Sequence, residues 1–425
     1  MPDERNLFAG DGPREALRVI GELNAAGFVA YLAGGCVRDA LLGREPKDFD
    51  VATNATPESV REVFGKRNTL AFGASFGVIG VLPPRDSKVS GESVEPTEVA
   101  TFRSDGEYSD GRRPDSVHYG TAIEDAMRRD FTINGMFYDP STAAVIDHVG
   151  GKTDLAERVL RTIGSPDQRL EEDKLRMLRA VRFTTTLGFE VEPATADAIR
   201  QHADAIAVVS GERIGAEMRR ILTSPHAARG LRLLAEFHLH TVVMPESIDA
   251  DFDAVDKYLD RLEDRDVPSA LACVLIALGA TRKQLSAIAS RWKLTNEEVR
   301  KVAAAMKYYR KICLAHTISW DEVQPILVDR DIDTIMNVSL AVIDARNGER
   351  DGIVRCRQAL RWPTERLDPP ALLTGNDLST LGFPSGPAYR VILNAVRRAQ
   401  LNETIASRDE AIELARQTLE SYDPE

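Results

Sequence analysis

Cysteine is scarce: Cys36, Cys273, Cys313 and Cys356 are the four in 425 residues. No two stand in a CxxC spacing, which argues against zinc and against a disulfide framework and points to a reducing cytoplasm. Long apolar runs are missing too. No stretch is long enough for a membrane helix, which needs roughly 18–20 apolar residues. The opening MPDERNLFAG lacks the basic-then-apolar build of a secretory leader, so no membrane partner is expected. Positive charge is short overall, with a net charge of −12. Taken alone that argues against a nucleic-acid partner, so an RNA-handling enzyme with this balance must concentrate its arginines locally. Apolar and charged fractions are ordinary, and a chain this long buries several cores, in about two to four domains.

What is present begins with Leu32–Thr53, LAGGCVRDALLGREPKDFDVAT. It reads as strand, glycine turn, short helix and a second strand carrying Asp48 and Asp50. Side chains alternate along a strand, so the two carboxylates share a face while Phe49 and Val51 point toward a core. Like charges side by side repel, and a pair pinned in this way suits cations. Gly34–Gly35 lets the backbone approach a ligand closely, and the helix start after it offers N–H groups and a positive dipole end to phosphate. Arg38, one turn in, adds a charge-assisted grip. A triphosphate cradle beside two metal-holding carboxylates is the equipment of nucleotidyl transfer. GGCVRD followed by KDFDVAT resembles the nucleotidyltransferase signature of class II CCA-adding enzymes and bacterial poly(A) polymerases, both of the DNA polymerase β superfamily. The resemblance implies an α+β fold: a head with a small mixed sheet and helices, then an all-α neck, body and tail. It also implies Mg²⁺ at Asp48 and Asp50.

In chain order, Pro13–Ala26 sets Ala16, Leu17, Ile20 and Leu23 on one helix face, stopped by Gly27, before a first strand over Phe28–Leu32. Pro57–Phe64 suggests another helix, Leu70–Leu82 a glycine-rich stretch turning strand-like, and Pro83–Pro96 an exposed loop. On the next strand, Thr97–Phe102, Glu98 falls where polymerase-β-like enzymes often place a third acidic residue. A solvated strand glutamate is the other reading, and both stay open. Arg103–Gly120, RSDGEYSDGRRPDSVHYG, is too rich in glycine and charge to pack and reads as a mobile surface loop. It resembles the flexible loop that helps CCA-adding enzymes move on to adenosine addition, with Arg103, Asp105, Arg112 and Arg113 as its charged members. Thr121-x-x-Glu124 is a capping box, expected to open a helix through DAMRRDFTINGMFY. Asp130 and Asn134 then share a face beside Arg129. RRDFTIN matches the family's second signature, and by that resemblance Asp130 and Asn134 hold the ribose 2′-OH and Arg129 the phosphates. Val145–Leu155 resembles the family's hinge out of the head. Asp147 and Asp154 read there as turn and cap residues, with Arg158 and Arg161 beyond them available to phosphate.

From about Pro166 the apolar period becomes 3.6, and all remaining structure is expected to be helical. In LEEDKLRMLRAVRFTTTLGF, Leu175, Leu178 and Val181 define a buried stripe. Asp173 and Arg176 are three apart and can share a face, with Arg179 and Arg182 drifting round it. On spacing alone this is an ion pair on a solvated helix. The segment resembles the family's EDxxRMxRAxRF signature, in which the Asp and Arg act as a protein template. A carboxylate accepts from an exocyclic amine and a guanidinium donates to ring N and O positions, so such a pair accepts C and A and rejects U and G. Ser210–Leu222, SGERIGAEMRRIL, resembles the family's ERIxxEL segment, and Glu212 and Arg213 read as structural. Further helices are expected over His226–Phe237, Ala254–Glu263, Ser269–Leu278 and Asn296–Ile312. The basic–aromatic runs SRWK and MKYYRK read as ordinary amphipathic helix. Leu372–Ile405 resembles the C-terminal segment of many bacterial CCA-adding enzymes, with a Pro384–Pro387 turn before a helix and Arg390, Arg397 and Arg398 available to RNA. No His-Asp dipeptide occurs, against an appended HD-type phosphohydrolase.

The expected division is a head over 1–155, a neck over 156–224, a body over 225–345 and a tRNA-binding tail over 346–425. The leading function is template-independent addition or repair of the 3′ CCA of tRNA from CTP and ATP. Gly34, Gly35, Arg38 and Arg129 would hold the triphosphate, and Asp173, Arg176, Arg179 and Arg182 complete the nucleotide site. Poly(A) polymerase is the near alternative, disfavoured by the acidic ending LESYDPE, and an adenosine-adding specialist is another. A catalytically dead RNA-binding homologue would lack a metal carboxylate, and Asp48 and Asp50 are both present. The oligomeric state stays open.

Overall fold

The computed structural model describes residues 3–10, 12–73, 77–84, 95–106, 116–247 and 251–422. The chain divides into two units, Met1–Pro245 and Glu246–Glu425. In the first, apolar residues at helical spacing give α1 (Arg14–Ala25) a buried stripe of Ala16, Val19, Ile20 and Leu23. Gly27, at a φ of +88°, turns the chain out of that helix. There follow β1 (Ala30–Ala33), α2 (Gly35–Leu41), β2 (Asp50–Thr53), α3 (Pro57–Phe64), β3 (Thr69–Gly73), β4 (Val78–Val81) and β5 (Thr97–Thr101). Next, β6 (Arg103–Asp105) and β7 (Val117–Tyr119) pair with each other outside the main sheet. After α4 (Ala122–Met127), β8 (Met136–Asp139) and β9 (Ala144–Asp147) rejoin it. The strand order is β3-β4-β5-β2-β1-β8-β9. β2 runs parallel to β5 and antiparallel to β1, so the sheet is mixed.

Two expectations about local structure change here. The strand thought to carry both Asp48 and Asp50 begins at Asp50, paired with Ala33. Beyond Ala33 the chain leaves the sheet at Gly34, so Asp48 has no β1 residue to pair with. The helix opened by the Thr121–Glu124 capping box is real but ends at Met127. Phe131 is wholly buried and extended, with a φ of −127° and a ψ of 148°, and bridges to Thr162. That bridge breaks the helical run, and a 3₁₀ turn over Thr132–Asn134 leads on to β8.

The rest of the unit comprises α5 (Gly151–Glu157), β10 (Val159–Leu160), α6 (Pro166–Glu172), α7 (Arg176–Leu187), β11 (Glu190–Val191), α8 (Pro193–His202), α9 (Gly211–Leu222), α10 (Ala227–Glu236) and α11 (His240–Val243). As expected, Asp147 is a turn residue, accepting the N–H groups of Val149, Gly150, Gly151 and Lys152 at 2.9–3.0 Å. Asp154, by contrast, is buried and accepts from Thr132 and Arg161. The all-helical expectation past Pro166 fails at β11, which pairs in parallel with β10 after Gly188 ends α7. The expected single neck helix is two, α6 and α7, separated at Asp173, whose backbone is extended (φ −144°, ψ 105°).

Among its described residues the second unit is helical. Helices at Phe252–Asp260, Val267–Ala277 and Asn296–Cys313 lie close to the expected stretches. One core gathers Ile312, Ile326, Leu327 and Ile335, and another Leu378, Ile392 and Val396. Trp292 is wholly buried and Tyr309 nearly so, while Lys293, Lys307, Arg310 and Lys311 are exposed, as the amphipathic reading of SRWK and MKYYRK expects. Arg397 and Arg398 are engaged by Asp368 and Asp321, each at 2.7 Å. Among the described residues no helix is long and apolar enough to cross a membrane.

Candidate active site

The register of β2 on β5 matches Val51 with Val99, so Asp50 and Glu98, each one residue earlier, lie at the same end of adjacent strands. Asp48, just outside β2, lines the same cavity as these two. Val51 is wholly buried and Phe49 packs edge-on against Phe8 at 6.2 Å, so the residues alternating with the acids anchor them. By surface area Asp50 is exposed, yet the cleft around its carboxylate strips away much bulk solvation. That burial, then Glu98, then Asp48 push the Asp50 carboxyl up to about 6, against a downward pull from Arg129. Among the described residues, neither Asp48 nor Asp50 has an ion-pair partner. An all-oxygen set of mutually repelling carboxylates fits a hard divalent cation, which would relieve the repulsion.

Beside this acidic corner, the β1–α2 turn needs glycine on two counts. Gly34 has a φ of +74°, and a Cβ there would stand 2.8 Å from Arg129 Nη1. Arg38 donates to Asn134 Oδ1 at 2.6 Å and pairs with Asp39 at 2.8 Å. Arg129 pairs with Asp125 at 2.9 Å and donates to the Asn134 carbonyl at 3.3 Å. Asp130 accepts from Phe131 N at 2.8 Å, Asn134 Nδ2 at 3.0 Å and Arg179 Nε at 2.8 Å. Burial alone would raise its carboxyl, but Arg179, Asn134 and the Phe131 N–H hold it well below the usual carboxylate range. Although the expected helix is broken, the turn still brings Asp130 and Asn134 into contact.

The segment before α7, α7 itself and α9 complete the pocket, a cavity of about 540 Å³. Gly34, Gly35, Arg38, Asp50, Arg129, Asp130, Asn134, Asp173, Arg176, Arg179 and Arg182 all line it. Asp173 and Arg176 do not pair with each other there. Asp173 accepts from Leu175 N at 3.0 Å and from Arg213 Nη2 at 2.7 Å, while Arg176 pairs with Glu172 at 2.5 Å. The helix break between α6 and α7 is the reason: Asp173 precedes the first turn of α7 and reaches across to α9. Arg182 pairs with Glu217 at 2.6 Å and lies 4.0 Å from the Phe183 ring centre; burial brings it down to about 10.

Five lining residues escaped the sequence reading as members of this site: Arg128, Leu175, Phe183, Arg213 and Arg220. A signal existed for two of them, since Arg213, Glu217 and Arg220 recur at helical spacing on one face of α9. The segment read as a loop is strand at both described ends. Arg103 and Asp105 lie in β6 and pair at 3.0 Å, with Arg128 3.8 Å from Asp105, and neither lines the pocket. Arg112 and Arg113 fall outside the described residues. Arg161, expected to be available to phosphate, is paired with Asp154 and Glu192.

Residues 30–161 match the family described as poly A polymerase head domain, and residues 188–250 the one described as probable RNA and SrmB-binding site of polymerase A. The chain is 34% identical to the CCA-adding enzyme of Geobacillus stearothermophilus over 94% of its own length and 95% of that protein's. Poly(A) polymerase I of Salmonella typhi is 40% identical, but over 58% of this chain and 53% of that one. A crystal structure of the Bacillus stearothermophilus CCA-adding enzyme in complex with CTP is similar at a TM-score of 0.76. It is 29% identical and the match covers 97% of this chain and 100% of that one. With end-to-end identity above 30% to such a relative, the chain belongs to the family of class II CCA-adding enzymes and bacterial poly(A) polymerases.

Proposed function

We propose that this chain is a template-independent RNA nucleotidyltransferase that adds or repairs the 3′-terminal CCA of tRNA from CTP and ATP. One observation carries it: a corner of unneutralised carboxylates opens into a pocket lined with arginines, all within one unit. The end-to-end relationship to CCA-adding enzymes, against a partial one to poly(A) polymerase, favours the CCA reaction. A cytoplasmic location is part of the same reading, as is the division into head, neck, body and tail at residues 155, 224 and 345.

Gly34 and Gly35 admit the triphosphate to the backbone, and Arg38 and Arg129 neutralise it. Asp130 and Asn134 meet the ribose 2′-OH. A site built to bond that hydroxyl disfavours deoxynucleotides, because its buried polar groups would be left unpaired. Asp173 and Arg176 read the base edge, with Arg179 and Arg182 beside them. Each Asp173 oxygen keeps a second lone pair for an exocyclic amine after bonding Leu175 N or Arg213. Asp48 and Asp50, with Glu98 adjacent, would hold Mg²⁺; the family is typically metal-dependent. When bound, Mg²⁺ supplies the positive charge that acidifies the RNA 3′-hydroxyl and neutralises the departing pyrophosphate.

The test is incorporation with Mg²⁺ on tRNA lacking CCA, tRNA ending in CC, and an unstructured RNA, with CTP, ATP or both. Three residues on the first and one on the second, then a stop, is the expected result. Addition to the CC-ending tRNA alone would mean an adenosine-adding specialist. Long A tails on all three would move the reading to poly(A) polymerase.

A further inference from the structure

The second unit holds a group of metal-ligating side chains that shares no residue with the cleft. His316 lies on the turn between the helices Asn296–Cys313 and Trp320–Leu327, and Glu349 and Asp351 stand at the start of the helix Asp351–Ala359. One ligand atom from each lies within 4.8 Å of the other two, and all three side chains are exposed. Packing builds this meeting of residues far apart in sequence. Gly352 sits so close to the end of the first helix that a Cβ there would run into the Cys313 and Ile312 carbonyls. From the same helix as Gly352, Arg355 donates to the Ala315 carbonyl, and to the Ile318 carbonyl at 3.1 Å. The turn is thus tied down on both sides of His316.

Each acid has an ordinary reading by itself. Asp351 stands in the first turn of its helix, where a carboxylate is favoured. Glu349 is an exposed acid in a short connection. Two observations take the group beyond that. Arg350, the cation between the two acids in sequence, turns to Asp344 instead, at 2.5 Å through Nη2 and 2.6 Å through Nε. Among the described residues, none of the three side chains has a hydrogen-bond or ion-pair partner. The third member, moreover, is an imidazole. Carboxylates alone suit Ca²⁺ or Mg²⁺, whereas one nitrogen with two carboxylate oxygens suits zinc and its neighbours in the first transition row. Donors on one tetrahedral zinc stand roughly 3.3 Å apart, given bonds of about 2.0–2.2 Å, so these exposed side chains need to close by at most about 1.5 Å.

We propose that His316, Glu349 and Asp351 form a site for a zinc-class divalent cation (Zn²⁺, Co²⁺ or Ni²⁺), with water at the remaining position. The ion clips the 314–319 turn to the start of the helix Asp351–Ala359. It is not the thiolate zinc site that the cysteine spacing argues against, since nitrogen and oxygen hold it. The proposal needs nothing from the nucleotidyl-transfer reading. Its chemistry also differs from that of the Asp48–Asp50–Glu98 corner, which offers oxygen alone.

The test titrates ZnCl₂ into the full chain by isothermal calorimetry, with Mg²⁺ in large excess to fill the all-oxygen corner. Wild type is compared with His316→Ala and with the pair Glu349→Gln and Asp351→Asn. The expected result is one zinc per chain in wild type, with a dissociation constant raised at least about tenfold in either variant. Losing even a partner behind a metal ligand costs about 10–100-fold. Without zinc, Tm should be the same in all three, since the side chains are exposed and unbonded; with zinc it should rise in wild type alone. A second readout is spectroscopic. His316→Cys puts a thiolate at the same place, and Co²⁺ should then give a sulfur-to-cobalt absorption band that Co²⁺-loaded wild type, whose four cysteines are buried, lacks. Zinc affinity unchanged in both variants would overturn the proposal, as would a wild type that binds no zinc in the presence of Mg²⁺. Zinc kept by His316→Ala but lost from Asp48→Ala or Asp50→Ala would assign the ion to the acid corner and overturn it too.

Discussion

Asp50 and Asp130 line one pocket, and their surroundings push them in opposite directions. Asp50 faces Glu98 and Asp48, and its carboxyl rises to about 6. Asp130 is more deeply buried and yet is held well below the ordinary range, because Arg179 and Asn134 donate to it. Burial acts alike on both and would raise both, so the sign of the neighbours makes the difference. The ends of the central strands β2 and β5 gather carboxylates without an ion-pair partner among the described residues, whereas α7 delivers a guanidinium to Asp130 as part of the fold. An acid corner of the first kind suits a cation that comes and goes with substrate. A pair of the second kind fixes α7 against the turn before β8 around the pocket.

The largest expected effect breaks the acid corner. Asp48→Ala or Asp50→Ala should lower kcat for CTP or ATP incorporation by about 10³-fold or more, since lost metal stabilisation is worth several kcal/mol. tRNA affinity should stay within about twofold by anisotropy. Retained turnover would show that these carboxylates do not hold the metals. The next effect is on stability. Asp130→Asn leaves Arg179 without its counter-charge and should cost about 2–3 kcal/mol, the usual worth of hydrogen bonds to charged groups, read by urea denaturation. An unchanged midpoint would mean that α7 needs no fixed pair.

The same variant sharpens the comparison through pH. Asp130 faces the Arg179 guanidinium, the Asn134 amide and the Phe131 N–H, with Glu217 and Asp173 also in the field of Arg179. Its folded carboxyl lies below the unfolded value near 4, so its contribution is full at neutral pH and is lost as acid protonates it. The stability gap between wild type and Asp130→Asn should therefore hold from about pH 7 to 4 and shrink below about pH 4. A gap that persists to pH 2 would mean that packing, not charge, accounts for the loss.

How much of this could be read from residues alone depended on the distance over which each feature is encoded. The Leu32–Thr53 unit was legible because strand, turn, helix and strand follow one another, and Gly34 carries the turn by itself. Helices with a capping box, such as the one opened by Thr295 and Glu298, were legible for the same reason. The breaks were not. The pattern after Met127 still looks helical, and only Thr162, across the bridge to Phe131, shows that it is not. The α6–α7 break at Asp173 is bonded by Arg213, on another helix. Asp48 left its strand because β1 ended, a fact written in β1 and its turn.

Arg213 offers the smallest and most discriminating test. If Asp173 meets the base, its usefulness depends on where its oxygens point. Those oxygens are set by two donors, Leu175 N at 3.0 Å and Arg213 Nη2 at 2.7 Å. Asp173→Ala removes the acceptor and should relax exclusion of UTP and GTP more than it weakens binding. Arg213→Ala keeps the carboxylate but frees it to rotate, so the loss should be partial. One charge-assisted bond used for orientation is worth about 1 kcal/mol, or roughly a three- to tenfold gain in UTP misincorporation relative to CTP. Arg213→Lys should restore only part of it, because an ammonium supplies the charge without the planar guanidinium fork. Primer extension with single nucleotides reads all three variants. Were Asp173→Ala to relax base choice while Arg213→Ala left it untouched, Arg213 would brace α9 against the α6–α7 break without aiming the carboxylate.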